Sequence, residues 1–305
     1  DARVLVEMES HGREEHLVEG VDLSRTVGWL TATYPLLLDL RGAEGEEAAI
    51  KAVKEQLRAV PHRGIGYGLL RWMGPDAARE RLRALPGAQA SFNYLGQLDG
   101  TLSEEGAFRV ARERSGPPRG PRGERWFLLE VMAMVEGGRL GLAIGYSTAV
   151  HREATVRRVL EDVAAELRAL VAHCARPDAG GYTPSDFPLA GLTQAELDEL
   201  LGRGRGVEDV YPLTPMQEGM LFHSLLAPGG GAYVGQFMYD LLGELDPDAF
   251  ARAWRGVVQR HAVLRTSFVW GGGERPFQVV RREAELPVRV EGWRGVGGAG
   301  RQARL

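Results

Sequence analysis

The sequence has little cysteine and lacks long apolar runs. Cys174 is the only cysteine among 305 residues, which excludes an internal disulfide and a metal site built from several thiolates. No apolar run approaches the roughly 20 residues needed to cross a bilayer, and no basic segment precedes an apolar core at the N-terminus. We therefore expect that the sequence contains no membrane span and no signal peptide. We expect a protein of a reducing compartment, the cytoplasm, without membrane partners.

The sequence also lacks a strong excess of charge of either sign, and it lacks motifs for binding metals or nucleotides. The formal net charge is −4, and no long block of like charge forms a footprint for nucleic acid. The seven histidines form no i, i+4 metal pair, and no Walker loop, dinucleotide glycine fingerprint or Gly-x-Ser-x-Gly elbow occurs. We therefore expect protein or small-molecule partners, with no metal or cofactor bound by this chain.

What the sequence does contain is enough apolar material for about two domains, since 44% of its residues are hydrophobic. Residues 176–208 are rich in glycine and proline and hold one short helix, capped by Thr193 with Glu196 three residues later. This composition predicts an interdomain linker. The predicted organisation is a first domain over 1–175, the linker over 176–208, a second domain over 209–290 and an irregular tail over 291–305.

Hydrophobic periodicity predicts a mixed α/β fold. Alternating, β-branched or aromatic residues predict strands over 3–8, 26–40 with an end near Pro35, 90–100, 125–136, 139–148, 232–243 and near Phe268. Helical spacing and capping residues predict helices over 44–60 and 75–85, a long helix that includes Val156 and ends near Cys174, and helices that begin at Thr193, Thr214 and Asp246. Residues 101–124 are predicted to be a loop, and Gly137–Gly138 a tight hairpin turn.

A dense cluster of ionisable residues follows the first predicted strand. Glu9, His11, Arg13, Glu14 and Glu15 lie within seven positions. Taken alone, such a cluster is typical of a solvated turn after an edge strand. The alternative is that it belongs to a catalytic site, and the motifs that follow it favour this alternative.

Four motifs occur in order along the first predicted domain: ESHGRE (9–14), RTVGWLTATYP (25–35), PHRGIGYG (61–68) and FNYLGQLD (92–99). Together they resemble the successive motifs in the second half of epimerization domains from nonribosomal peptide synthetases. The resemblance covers about residues 1–175. It departs from the family pattern at Ser10, where glycine is usual, and at Leu30, where phenylalanine is usual.

The second predicted domain resembles the start of a condensation domain of the same synthetases. YPLTPMQEGMLFHSL (211–225) and RHAVLRTSF (260–268) are similar to the first two motifs of such domains. The likeness extends from residue 209 to about 290. We expect Arg265, within the second motif, to have a structural role.

The resemblance implies the fold of chloramphenicol acetyltransferase, in which two lobes meet and a His-His-x-x-x-Asp-Gly motif ends the first lobe. This sequence contains no such motif. The expectation is therefore the C-terminal lobe of an epimerization domain followed by the beginning of a condensation domain's N-terminal lobe. A polypeptide of this content is expected to be inactive by itself.

The resemblance also implies a chemistry, the inversion of an L-amino acid to its D form while it is a thioester on a carrier. Glu9 and Tyr94 are the implied catalytic residues, and His11, Arg13 and Asn93 are the implied substrate-binding residues. The phosphopantetheine arm would come from a partner carrier domain. Adenylation and condensation domains of the same synthetase are the other implied partners.

Two alternatives stay open. Residues 1–175 could belong to another condensation-type domain, although GWLTATYP differs from the Gly-x-Phe-Val-Asn-Thr pattern usual there. Alternatively, the chain could be a non-catalytic interdomain piece that offers only carrier-docking and packing surfaces.

Overall fold

Two stretches of the chain fold as separate units, Asp1–Ala179 and Gly180–Leu305. The structure is a computed structural model that describes residues 2–97, 113, 116, 120, 123–227, 231, 233–270, 275–297 and 300. The border between the units falls inside the segment predicted as a linker. Most of the predicted loop over 101–124 and much of the predicted tail lie outside the described residues.

The first unit is built on a five-stranded mixed sheet. Its strands, in chain order, are β1 (Arg3–Ser10), β2 (Ala32–Asp39), β3 (Ala90–Gln97), β4 (Leu129–Glu136) and β5 (Arg139–Tyr146). The spatial order is β2-β1-β3-β4-β5. The β1–β3 and β3–β4 pairs are parallel, whereas β1–β2 and β4–β5 are antiparallel. The central strand β3 thus lies beside β1, which brings FNYLGQLD next to ESHGRE.

Helices cover one face of this sheet. They are α1 (Gly45–Arg58), α2 (Ile65–Met73), α3 (Asp76–Ala84) and α4 (Glu153–Cys174), with a 3₁₀ turn at Pro61–Gly64. Helices α1 and α2 pack against β2, and α4 packs against β5 and α1. The buried side chains of this layer include Tyr34, Leu36, Ala133 and Val156. Side chains that alternate with these along the strands, such as Leu37 and Met132, are exposed.

The second strand differs from the prediction. It begins at Ala32 instead of residue 26, and Pro35 lies within it instead of ending it. Pro35 is tolerated because β2 is the edge strand of the sheet, where an absent N–H removes no necessary ladder bond. Residues 26–31 instead form a loop that leads into the strand. The Gly-rich segment GIGYG forms the N-cap, Gly64, and the first turn of α2.

The second unit has a three-stranded antiparallel sheet of order β6-β8-β7. Its elements are α5 (Gln194–Leu201), β6 (Val207–Pro212), α6 (Pro215–Leu226), α7 (Pro247–Arg260), β7 (Thr266–Val269) and β8 (Phe277–Arg281). The predicted capping boxes are present at the start of α5, on Thr193 and Glu196, and of α6, on Thr214 and Gln217. Both satisfy backbone N–H groups that a helix start leaves without partners.

The segment before β6 forms part of this unit's core. Tyr182, Phe187, Ala190 and Leu197 are buried in one cluster with residues of β6 and β8. The Tyr182 hydroxyl accepts a hydrogen bond from the Val207 N–H at 2.7 Å and donates one to the Val207 carbonyl at 3.0 Å. Composition indicated a linker here because glycine and proline shape its turns, yet its apolar side chains fasten it to the sheet.

The prediction of a strand over 232–243 is wrong. The described residues 233–243 form neither helix nor strand, and Tyr233 has a positive φ of 66°. Their apolar side chains, among them Phe237, Tyr239 and Leu242, are exposed. The alternating pattern was real, but a strand also requires a neighbouring backbone edge to bond to. No described helix is long and apolar enough to cross a membrane.

Candidate functional site

The candidate site is centred on a carboxylate at the end of β1. Glu9 is half-buried, and the Asn93 side-chain amide donates a hydrogen bond to its Oε2 at 2.7 Å. The parallel register pairs Met8 with Phe92, so Glu9 and Asn93 follow at matching positions and on the same face. These two predicted site residues, 84 positions apart, are therefore brought together by the sheet.

Burial raises the pKa of Glu9 above its ordinary value of 4.5. Glu7 lies two residues earlier on the same strand face, and its pKa is also raised, mainly by burial and to a smaller extent by the charge of Glu9. A carboxyl group with a raised pKa holds a proton more readily near neutral pH. Within the described residues, only Oε2 of Glu9 accepts a hydrogen bond, which leaves Oε1 for an external partner.

Tyr94 has a different orientation from the pair. It follows Asn93 directly in β3, so strand alternation directs its side chain to the other face of the sheet. Its neighbour in β4 is Ala133, a residue of the helix-covered side. Tyr94 is 53% exposed. The structure therefore brings Glu9 and Asn93 together and separates Tyr94 from them by the thickness of the sheet.

Ser10 also points away from the face of Glu9. Its hydroxyl donates to the backbone carbonyl of Arg63 at 2.9 Å, in the turn that begins PHRGIGYG. A second, longer contact of 3.5 Å joins it to the Ala32 carbonyl. The side chain that replaces the usual glycine consequently fastens the end of β1 to the turn instead of crowding the Glu9 carboxylate.

Arg13 is engaged by backbone carbonyls. Its guanidinium donates to the carbonyls of Leu23 at 2.9 Å, Thr26 at 3.0 Å and Gly28 at 3.3 Å. Gly12 has a positive φ of 65° and packs so closely on the Leu30 carbonyl that a β-carbon would collide with it. Together these contacts hold the 23–30 loop against ESHGRE. Arg13 thus has a bracing role in this structure, whatever it contributes to substrate binding.

His11 lies beside a carboxylate of the same cluster that was not predicted to be a site residue. Glu14 is buried. Its Oε1 lies 3.6 Å from His11 Nε2 and 3.5 Å from Arg63 Nη1, and its Oε2 lies 3.6 Å from His16 Nδ1. Arg63 Nη1 is also 2.5 Å from His11 Nε2. No pattern marked Glu14 as buried, because it follows the strand in an irregular segment where periodicity gives no information.

The described residues contain no group of three or more His, Cys, Asp or Glu side chains that could hold a metal ion. The site offers a carboxylate with a raised pKa, oriented by an amide.

Comparison with known proteins identifies the family. The family model described as Condensation domain matches residues 1–192 and 207–301. One polypeptide of the linear gramicidin synthase of Brevibacillus parabrevis is 44% identical over 292 residues, which are 95% of this chain and 4% of that protein. A second polypeptide of the same synthase is 44% identical over 302 residues, 98% of this chain and 6% of that protein. The chain spans only a small fraction of these relatives.

A solved structure resembles the chain as well. The crystal structure of the epimerization domain from the third module of tyrocidine synthetase B matches with a TM-score of 0.51 and 34% identity. The match covers 57% of this chain and 38% of that one. The chain belongs to the condensation-domain family of nonribosomal peptide synthetases. The mixed α/β fold predicted from the sequence, which condensation and epimerization domains share, is confirmed.

Proposed function

We propose that the first unit supplies one side of an epimerization site, which inverts the α-carbon of an aminoacyl or peptidyl thioester. The observation that carries this proposal is the Glu9–Asn93 pair. It joins a carboxylate of raised pKa to a fixed amide on one sheet face. The likeness of this chain to a solved epimerization domain supports it.

Epimerization requires that one group remove the α-proton and that another return a proton to the opposite face of the carbon. A positioned acid or base of this kind contributes about 10²–10⁴-fold to the rate. Glu9 is suited to one of the two roles because burial raises its pKa toward the pH at which it must exchange a proton. Asn93 holds Oε2, so Oε1 is the oxygen that exchanges the proton.

The group on the opposite face of the α-carbon would be a histidine of the His-His-x-x-x-Asp-Gly motif, which this sequence lacks. The substrate would arrive on the phosphopantetheine arm of a carrier domain. The first unit would then be the C-terminal lobe of an epimerization domain. The second unit would be the start of a condensation domain that accepts the D-configured product.

Smaller roles in this proposal fall to His11, Arg13 and Tyr94. His11 and Arg13 would shape the rim of the pocket, since Arg13 braces the 23–30 loop and His11 contacts Arg63. Tyr94 would steady the enolate only if the substrate reaches the strand end from both faces of β3. Its contribution is therefore expected to be smaller than that of Glu9.

The test is Glu9→Gln in a complete synthetase polypeptide that contains these residues, with exchange of the α-proton of an aminoacyl carrier measured in D₂O. We expect a loss of about 10²-fold or more, because the amide cannot accept the proton. Glu7→Gln is the matched control, since Glu7 lies on the same strand face and its pKa is also raised. Tyr94→Phe should retain more activity than Glu9→Gln.

Equal losses for Glu7→Gln and Glu9→Gln would show that Glu9 is not the specific base. Unchanged exchange in Glu9→Gln would reject the epimerization site. It would then favour a condensation-type domain of another kind, or a unit that serves only in docking and packing.

A further inference from the structure

We propose that Glu14 is a positioning residue for the Glu9 site, because it holds the Pro61–Gly64 turn against the end of β1. The catalytic consequence of this inference rests on the proposed function. The structural part does not, and it can be tested separately. Glu14 is the last residue of ESHGRE, and the resemblance that this motif carries gives it no role.

The first step concerns the burial of Glu14. Its side chain is only 4% exposed, and the basic side chains around it are those of His11, His16 and Arg63. Its Oε1 is fully buried and accepts no hydrogen bond within the described residues. A buried carboxylate without these basic neighbours would be costly, so the three contacts, two from its own segment and one from the turn, must persist together.

The second step concerns the contact between His11 and Arg63. The Arg13 N–H donates to His11 Nδ1 at 2.9 Å, so the ring hydrogen of a neutral His11 lies on Nε2. That nitrogen is 2.5 Å from Arg63 Nη1, which also bears hydrogens. Two donors this close repel unless a carboxylate lies beside both. Glu14 Oε1 lies 3.6 Å from one nitrogen and 3.5 Å from the other, so it attracts both without a hydrogen bond to either.

The third step concerns the turn itself. His62 and Arg63 have positive φ values of 48° and 51°, a conformation that side chains with a β-carbon disfavour. Gly64 follows with φ 83° and packs so tightly on the Tyr34 ring that a β-carbon would collide with it. The turn therefore needs external contacts to keep this backbone. Glu14 provides one through Arg63, and Ser10 provides another through the Arg63 carbonyl.

The last step connects the turn to the base. Ser10 is the residue after Glu9, and its hydrogen bond to Arg63 makes the turn a support for the end of β1. When the charge of Glu14 is lost, the donors of His11 and Arg63 separate and the turn relaxes. The Glu9–Asn93 hydrogen bond is retained, but the backbone that aims Glu9 at the substrate becomes less well fixed. The effect should therefore fall on the rate constant of the chemical step rather than on carrier binding.

The experiment is Glu14→Gln in the complete synthetase, measured well below its melting temperature. We expect about a tenfold lower rate constant for α-proton exchange, with KM for the aminoacyl carrier within about twofold. Hydrogen exchange should become faster at the amides of residues 62–64 and at the end of β1. Glu15→Gln is the matched control. Glu15 accepts from the Leu23 N–H at 2.6 Å, and the glutamine oxygen can accept in its place.

A double-mutant cycle with Arg63→Gln shows whether Glu14 acts through the turn. Arg63 is largely exposed, so this variant should fold even if Glu14→Gln does not. The double variant should lose about tenfold, not about a hundredfold, because both substitutions remove the same contact. Additive losses, or an unchanged rate with unchanged amide exchange in Glu14→Gln, would overturn the inference.

Failure of the proposed function is distinguishable from failure of this inference. If Glu9→Gln leaves α-proton exchange intact while Glu14→Gln still accelerates amide exchange in the turn, Glu14 positions the turn but the base is elsewhere. If Glu9→Gln abolishes α-proton exchange and Glu14→Gln changes neither measurement, the base assignment stands and the positioning role is wrong.

Discussion

The two units use their buried polar side chains differently. In the second unit, Arg265 and Gln278 are buried and bonded to nearby backbone and side-chain groups. In the first unit, the buried Glu14 and the half-buried Glu9 each keep one carboxylate oxygen without a hydrogen bond from the described residues. An unpaired carboxylate oxygen can accept a proton or a further hydrogen bond, whereas the nitrogen of Arg265 that lacks a partner within the described residues, Nε, can only donate.

The arginine of the second unit links strands through one of its nitrogens. Arg265 Nη1 donates to Glu208 Oε2 at 2.7 Å, to the Arg281 carbonyl and to the Arg282 carbonyl at 3.3 Å. It therefore joins the start of β7 to β6 and to the end of β8. The expectation from the sequence that Arg265 is structural agrees with these contacts.

The amides of the second unit serve the same purpose. Gln278 donates to the Pro212 carbonyl at 3.3 Å and exchanges hydrogen bonds with Gln217 at 2.9 and 3.0 Å. Gln217 also caps the start of α6 by accepting from the Thr214 N–H at 2.9 Å. This network attaches the helix to the sheet and leaves little capacity for a ligand.

The largest effect that tests this comparison is expected from Arg265→Met. The substitution leaves the carbonyls at the end of β8 without their donor and Glu208 without its partner, at a cost of about 3 kcal/mol in the free energy of unfolding. Hydrogen exchange of second-unit peptides during a urea titration would measure it, and first-unit peptides should not change. Arg282→Met, at an exposed side chain, should cost less than about 0.5 kcal/mol. Equal losses for the two variants would contradict a structural role of Arg265.

Tyr182→Phe should have a smaller effect in the same unit. It removes both hydrogen bonds to Val207 and leaves a buried N–H without an acceptor, at a cost of about 2 kcal/mol. The same urea titration would measure it. Tyr211→Phe is the control, because the Tyr211 hydroxyl makes no hydrogen bond within the described part of the chain. If Tyr182→Phe is as stable as this control, the segment before β6 is only loosely attached to the core.

Local chemistry explains which parts of the fold the sequence predicted. The hairpin of β4 and β5 turns at Gly137 and Gly138, whose φ values of 58° and 68° suit the tight turn expected from this dipeptide. The caps at Thr193 and Thr214 and the long helix α4 were likewise predicted from nearby residues. These features depend on interactions over a few positions, which a sequence displays directly.

Features that depend on distant partners were predicted less well. The apolar alternation over 233–243 was read correctly, but no described strand pairs with it. The approach of the Arg63 turn to Ser10 spans 53 positions, and nothing near Arg63 indicates it. For the candidate site, the motifs predicted Glu9 and Asn93 as site residues, and the parallel register explains their contact. Glu14 was named only as part of the ionisable cluster and of ESHGRE, because the burial of a charged residue leaves no local signal.

The smallest predicted effect is a gain in stability, whereas the second-unit substitutions are predicted to lower stability. Burial raises the pKa of Glu9 in the folded protein, so the folded state binds this proton more tightly than the unfolded state does. Its favourable contribution is complete at acidic pH, below the unfolded value, and is lost as the pH rises through the folded pKa. Glu9→Gln should therefore be slightly more stable than the wild type at pH 7, and this advantage should vanish near pH 4.

Asp39→Asn provides a control of opposite sign. Hydrogen bonds from Arg41 lower the pKa of Asp39 to about 2, so its contribution is present above the unfolded value and is lost as the pH falls through about 2. This variant should be less stable than the wild type at pH 7 and approach it in acid. Melting temperatures of the three proteins between pH 3 and 8 would measure both trends. A Glu9→Gln variant that is less stable at pH 7 would mean that Glu9 supports the fold as the polar residues of the second unit do, and the contrast between the units would fail.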